Sequence, residues 1–405
     1  MKIECMQYIQ RTVEKTIRAA LARNKSVLLL GARQTGKTTL LSRFKGDFSL
    51  NFVRPQERQR YEQRPELLTG EIEALASGRK KPILVLLDEI QRVPQLLDVV
   101  QDLIDRNVAR FVLTGSSARK LRRHYAANLL PGRVVVAHIE PLSIEEYPQQ
   151  PLSERLLYGS LPGIAVMADA RHKEEDLRSY VVTYLEEEVR AEALVRRMGP
   201  FSRFLEMAAL ESGKIINTRK ISQDIGVAHT TVAAYYELLE DCLIAKRFDP
   251  LTQSRTRTRL IKSPKYVIFD LGLRRSCAHE PPVLHPTLCG DLFEQWVGLE
   301  LFKYAEVSSR PFSVKFWRDP AGPEVDWVLD HHGEYVPVEV KWTQAPSLKD
   351  AKSIHVFLKE YKNSSHGYIV CRTPRAVKLT DRILAVPWQD LGRVATGKKF
   401  ISSAA

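Results

Sequence analysis

Cysteine is scarce in this sequence and forms no recognisable pair. Cys5, Cys242, Cys277, Cys289 and Cys371 are scattered and odd in number, and no C-x-x-C occurs. This pattern argues against a disulfide framework and a cysteine-built zinc site, and a reducing cytoplasm is expected. No apolar run reaches the roughly 20 residues of a membrane span, so no membrane segment is expected. The first residues, MKIECMQYIQRTVEKTIRAALARN, lack the compact apolar segment of a secretory signal and instead have the spacing of an amphipathic helix. Acidic residues are outnumbered: 48 Asp and Glu against 61 Lys and Arg give a formal charge of +13. That excess favours polyanionic partners such as nucleic acid or an anionic membrane surface, and it also suits a plain basic enzyme. The balance is otherwise globular, 44% hydrophobic and 27% charged over 405 residues. That length allows about two to four domains.

What is present begins with SVLLLGARQTGKTTLL (26–41), an apolar strand, a glycine-rich turn and a helix start. Gly31 to Thr38 satisfies G-x-x-x-x-G-K-[ST] at every fixed position. Gly31 and Gly36 let backbone N–H groups curl around phosphate oxygens. Lys37 reaches the β and γ phosphates, and the Thr38 hydroxyl holds Mg²⁺. Thr39 is grouped with these nucleotide-binding residues. ATP and Mg²⁺ are the expected cofactors.

KPILVLLDEIQRVP (81–94) supplies the partner motif. Ile83 to Leu87 is the continuous apolar run of a strand buried on both faces. Asp88 ends it, where α/β sheets place ligands, and is expected to hold Mg²⁺ through water. Glu89 is expected to polarise the attacking water. VARFVLTGSSARKL (108–121) is a further strand ending in Thr114-Gly115-Ser116-Ser117. Ser116 is expected to sense the γ-phosphate or orient the water; a capping turn for a helix from about Ala118 accounts for the same residues. Arg133, just before another strand, is expected at a γ-phosphate in a neighbouring subunit, and an ordinary surface arginine fits nearly as well. Strands near 26–30, 49–53, 83–87, 109–113 and 134–139, with helices between them, predict a doubly wound parallel sheet. A helical segment runs on to about residue 197. YGSLPGI (158–164) breaks it with a turn, and YLEEEVRAEALVRRMG (184–199) is expected to be a solvated helix.

Residues 217–250 have the apolar spacing of a helix–turn–helix. Ile221 and Ile225 mark one helix, Gly226 the turn, and Val232, Tyr236 and Leu239 the next. His229, Thr230 and Thr231 fall at the start of the second helix, where base edges are often read. Arg255, Arg257, Arg259, Lys262 and Lys265 follow with no acidic residue among them. Together these predict a winged helix with a basic wing. DNA contact is one reading of it, and a rigid spacer or docking module is the other.

EVDWVLDHHGEYVPVEVK (324–341) reads as two strands joined by a turn at Asp330-His331-His332-Gly333. Val325, Trp327 and Leu329 share one face, with Glu324 and Asp326 opposite. Val336, Val338, Val340 and Trp342 share a face, with Pro337, Glu339 and Lys341 opposite. Paired, the strands bring Asp326, Glu339 and Lys341 together. Two hard carboxylates suit Mg²⁺, with Mn²⁺ as a substitute, and the lysine can position water or neutralise a transition state. Glu294, from the amphipathic GDLFEQWVGLEL (290–301), is expected as a further metal ligand, with room left beside it by Gly298. His331 and His332 read as solvated turn residues. A surface hairpin with ordinary salt bridges, or a nuclease fold that has lost its chemistry, explains the same residues.

The chain as a whole resembles the bacterial and archaeal AAA-type ATPases that end in a domain of unknown function with a PD-(D/E)xK nuclease-like core. The resemblance covers nearly the full length. It rests on GARQTGKTTLL, LLDEIQRVP, LTGSSARKL, LPGR, PLSIEEY, YGSLPGI, KYVIFDLGL, LFEQWV, EVDWVL and VPVEVKW, in this order. It implies ATPase roles for Lys37, Thr38, Asp88 and Glu89, and a nuclease-like pattern at Glu294, Asp326, Glu339 and Lys341. It implies an α/β multidomain chain: a P-loop domain over 1–197, a winged helix over 198–278 and a nuclease-like domain over 279–405. A homo-oligomer, by class a hexamer, is the implied assembly. Pro131 stands where members have a small residue before Gly-Arg, which weakens the assignment of Arg133. The leading expectation is an ATP-driven DNA-processing enzyme with a metal-dependent nuclease domain. The alternative is a nucleotide-switched regulatory binding protein with an inert nuclease-like fold.

Overall fold

The computed structural model describes residues 8–116, 130, 132–185, 198–252, 262–319 and 322–397. Cys5, Ser117, the helix from about 118, Pro131, most of the acidic segment 184–199, and Arg255, Arg257 and Arg259 lie outside the described residues. The chain divides into two compact units. One is Met1–Leu142 with Leu161–Gly163 and Asp241–Ile244, and the other comprises Ser143–Ser160, Ile164–Glu240 and Ala245–Ala405. The three expected domains do not map one to one onto these units. Ser143–Ser160 groups with the C-terminal part because buried carboxylates there hold its backbone. Glu300 accepts from Ile144 N at 3.0 Å, and Asp270 from Ser160 N at 2.7 Å.

In the first unit, β1 (Ser26–Leu30), β2 (Phe48–Asn51), β3 (Ile83–Asp88), β4 (Ala109–Gly115) and β5 (Val134–His138) form one sheet in the order β2-β3-β4-β1-β5. Every pairing is parallel. The continuous apolar runs are explained by burial on both faces. Leu28, Leu30, Val85, Leu87, Phe111 and Leu113 pack with helices Leu67–Ala76 and Leu96–Asp105. Val27, Leu29, Leu86 and Val112 face the other way, onto helices Val13–Ala22 and Lys37–Leu41. The first helix starts at Val13, later than its sequence spacing suggests, and the preceding Arg11 is used elsewhere.

In the second unit, helices Thr218–Ile225 and His229–Asp241 are joined through Gly226, whose φ of 71° suits glycine. The Asn217 side chain caps the first by accepting from Lys220 N at 3.1 Å. β6 (Ala245–Phe248) and β7 (Lys265–Ile268) follow as an antiparallel pair. Then come helix Cys289–Val307, β8 (Ser313–Arg318), β9 (Glu324–His331), β10 (Glu334–Val340), helix Lys352–Glu360, β11 (Gly367–Cys371), β12 (Val377–Lys378) and β13 (Ile383–Pro387). These six strands form a mixed sheet in the order β12-β13-β11-β10-β9-β8. The Cys289–Val307 helix buries Leu292, Phe293, Trp296 and Val297 against Trp327, Val338, Val340 and Val370. Phe357 of the later helix packs with Trp317, Val325 and Val328.

Two details of the hairpin depart from the sequence reading. The strands run further than expected, so the loop is only His332-Gly333, both at positive φ (55° and 98°), as tight two-residue hairpin loops require. His331 is therefore a strand residue, half-buried against the Phe312 ring at 5.0 Å, while His332 is exposed. The second departure is a bulge. β8 pairs Lys315 with Val328 but Trp317 with Val325, so Phe316 stands opposite both Asp326 and Trp327. The extra residue flips the alternation. Val325 packs with Trp317 and Val328, apart from Trp327 and Leu329.

Gly298 also differs from expectation. The room beside it is filled by Trp327: a Cβ at Gly298 would lie 2.3 Å from the indole Cζ2. Gly298→Ala is expected to destabilise the unit by about 1–3 kcal/mol through overpacking, read as a lowered melting temperature.

Candidate functional site

β1 ends at Leu30, and the chain turns at once into the glycine-rich loop. A Cβ on Gly31 would lie 2.5 Å from the Ile139 carbonyl oxygen, so that position requires glycine. Gln34 and Gly36, at φ 61° and 95°, curl the loop into helix Lys37–Leu41. Buried Arg11 braces it, with Nη1 donating to the Thr35 carbonyl at 2.6 Å and Nη2 to the Glu140 carbonyl at 2.5 Å. Lys37 Nζ donates to the carbonyls of Gly31 and Ala32, 3.0 Å each, and lies 3.6 Å from Glu89 Oε1. Burial pulls its pKa below the ordinary lysine value, against the pull of Glu89 and Asp88.

Asp88 is the hub of the opposite wall. It accepts from the Thr38 hydroxyl at 2.8 Å, from Asn51 Nδ2 at 3.0 Å and from the Thr114 hydroxyl. Thr114, on the strand between β1 and β3, also accepts the Glu89 N–H at 2.9 Å. Glu89 itself sits at φ 60°. Its Oε2 accepts from Ser116 Oγ at 3.1 Å and from Gln91 Nε2, which also donates to Ser116 Oγ at 2.9 Å. The Thr38 hydroxyl and Asp88 carboxylate are hard oxygen donors, side by side, and so fit Mg²⁺.

The second cluster is built around β9 and β10. Their ladder extends to Val338↔Trp327, and the Asp326 carboxylate takes the next amide, Val340 N, at 2.7 Å. Lys341 Nζ donates to Glu339 Oε1 at 2.7 Å, and buried Glu339 Oε2 has no hydrogen-bond partner. Glu294 accepts from Lys265 Nζ at 3.0 Å, and its carbonyl accepts from Trp327 Nε1 at 3.0 Å. Burial pushes the Asp326 pKa well above the ordinary carboxylate value, with Glu294 and Glu339 adding to the rise. Burial also raises Glu339; Lys341 opposes this, while Glu294 and Glu324 reinforce it.

Three family models match successive segments. A domain of unknown function, DUF8612, matches residues 149–282, and another, DUF4143, matches 289–391. Residues 23–148 match an AAA domain. The first unit therefore carries an AAA-type ATPase domain. The chain is also similar to two uncharacterized mycobacterial proteins, Rv2008c of Mycobacterium tuberculosis and Mb2031c of Mycobacterium bovis. Each is 28% identical over 395 residues, 95% of this chain and 85% of the relative. The uncharacterized MJ1637 of Methanocaldococcus jannaschii is 23% identical, over 90% of this chain and 83% of its own. Among solved structures, a RuvB K64R mutant of Thermotoga maritima aligns over 59% of this chain and 90% of its own, at 17% identity and TM-score 0.29. VC1899 of Vibrio cholerae aligns over 92% and 96%, at 11% identity and TM-score 0.21.

Within the AAA domain the structure brings Gly31, Gly36, Lys37, Thr38, Asp88, Glu89 and Ser116 together. Thr39 is exposed beside Thr38. Arg133 lies at the opposite end of β1 from this chain's own loop. Val134 pairs with Ser26 at the start of β1, whereas the phosphate loop follows Leu30 at its far end. Arg133 instead makes a two-pronged contact with Asp105, 2.6 and 2.9 Å. Asn51, Gln91 and Thr114 had no assigned roles of this kind in the sequence reading. Thr114 and Ser116 stood out as hydroxyl residues, yet here they orient Asp88 and Glu89. The only sequence signal for Gln91 was its place two residues after Glu89.

In the second cluster Glu294, Asp326, Glu339 and Lys341 converge, with a further lysine among the carboxylates. Among the described residues, no group of three or more His, Cys, Asp or Glu is arranged to hold a metal ion. The further lysine is Lys265, expected in the basic wing. Lys265 is buried, 3.0 Å from both Glu294 and Glu324. Burial opposes its charge, yet Glu294, Glu324 and Asp326 raise its pKa above the ordinary lysine value. Lys262 is exposed, as a wing residue would be. No helix among the described residues is long and apolar enough to cross a membrane.

Proposed function

We propose that the chain is an ATP-hydrolysing switch that binds DNA according to its nucleotide state. The observation that carries this reading is the Thr38–Asp88–Glu89 set facing Lys37 across the loop. Thr38 and Asp88 would hold Mg²⁺, which would offset the charge of the ATP phosphates. Lys37 neutralises the β and γ oxygens. Glu89, held by Ser116 and Gln91, takes up a proton from the attacking water.

DNA binding is supported by the net charge of +13 and by the helix pair around Gly226, with exposed His229 and Thr230 opening its second helix. The β6–β7 pair after it suits a winged helix. The order of helix, three antiparallel strands, helix and parallel strand across 289–371 suits a nuclease-like core. Its carboxylates are neutralised by the chain's own lysines, and this favours an inert fold over a cutting one. Metal-dependent cutting is the second reading, favoured by the buried and unpartnered Glu339 Oε2. Assembly into a homo-oligomeric ring belongs to the proposal through the AAA class alone.

Glu89→Gln tests the hydrolytic assignment. The variant is expected to bind ATP as wild type does and to lose about 10²–10⁴-fold in turnover, measured as phosphate release. Turnover near wild type would remove Glu89 from the mechanism. Gln91→Leu is expected to lower turnover about 10- to 100-fold with KM for ATP unchanged, because Glu89 loses one of its two orienting donors.

A further inference from the structure

Lys265, expected in the basic wing, is instead buried. It opens β7, is 2% exposed, and lies over Phe316 and Trp327 with its ammonium 5.0 and 5.4 Å from the ring centroids. The ammonium is shared between Glu294 Oε1 and Glu324 Oε1, 3.0 Å from each. Asp326 lies close enough to act on its charge. Beside this group Glu339 is 5% exposed, with Oε1 held by Lys341 and Oε2 without a hydrogen-bond partner. These are the oxygens that a hard divalent ion would use.

We propose that the Lys265 ammonium is the built-in cation of this carboxylate cluster and keeps divalent ions out of it. An ion bound by Glu294 and Asp326 would face a fixed positive charge at close range in a poorly screened interior. It could enter only if that charge left. Lys265 is held in place by two carboxylates and two aromatic faces, so it does not swing out to water as a surface lysine does. The cluster is thus a nuclease-like arrangement closed from within. The proposal deepens, and rests on, the reading of this domain as inert.

The test is Mn²⁺ binding by the full chain without nucleotide, followed by electron paramagnetic resonance and by melting temperature. Lys265→Met is expected to bind one more Mn²⁺ per chain than wild type, at least about tenfold tighter than any Glu339-dependent binding in wild type. Its melting temperature is expected to rise with added Mn²⁺ relative to wild type. Adding Glu339→Gln is expected to abolish the extra site. A folded Lys265→Met with no extra Mn²⁺ overturns the proposal. Should that variant fail to fold, wild type still decides: Glu339→Gln alone is expected to leave Mn²⁺ binding unchanged, and a lost ion overturns the proposal. DNA cutting on the same samples separates the two claims. Wild type that cuts refutes the inert reading. Wild type that does not cut, beside a folded Lys265→Met that binds no extra ion, refutes only the role of Lys265.

Discussion

Lys37→Ala is expected to lower ATP turnover by about 10²–10³-fold, the cost of removing one fixed donor from a developing phosphoryl charge. Its charge can be lost with little harm to the fold. The ammonium is buried against two backbone carbonyls and one carboxylate, with its pKa pulled below the ordinary value by burial. Alanine also leaves Asp88 fully held by Thr38, Asn51 and Thr114. The melting temperature is therefore expected to stay within a few degrees of wild type. Phosphate release at saturating ATP, beside a thermal melt, checks both parts. A variant that keeps its turnover would move the chemistry away from this loop.

Asp326→Asn is expected to stabilise the C-terminal unit at neutral pH, by about 1 kcal/mol or a few degrees. The Asp326 carboxyl is raised well above its ordinary value by burial, then by Glu294 and Glu339. A folded-state pKa above the unfolded one favours folding below the unfolded value, near pH 4, and that advantage is lost as pH rises through the folded value. Asparagine does not titrate, and its carbonyl can still accept the Val340 amide. The two proteins are thus expected to melt alike at low pH. The variant is expected to pull ahead as pH rises. Parallel melting curves at every pH would show that the carboxylate carries no such penalty.

Much of this was legible in the residues. The phosphate loop follows a fixed spacing, and the strands before Gly31 and Asp88 are apolar runs that only burial on both faces explains. The face of β10 was readable too, because an undisturbed strand alternates: Val338 and Val340 pack into the core as expected. The bulge at Asp326–Trp327 was not. One extra residue changes the parity of β9, and no local residue preference announces it. For Arg133 the residues around it do not say which end of the sheet they occupy; the register Ser26↔Val134 puts it away from its own chain's loop. Lys265 was hidden for a related reason. It follows a run of basic residues and reads as one of them, and only the tertiary fold brings Glu294 and Glu324 to its ammonium.

The most direct test of the switch is a single gel assay. End-labelled single-stranded, duplex and branched DNA would be incubated with wild type or Asp326→Asn in Mg²⁺ or Mn²⁺, with ATP, with ADP or with neither. Retained complex and strand length would be read from the same samples. The account predicts intact strands throughout and retention that differs about tenfold or more between ATP and ADP. Shortened strands with wild type that disappear with Asp326→Asn would contradict it, and so would retention indifferent to nucleotide.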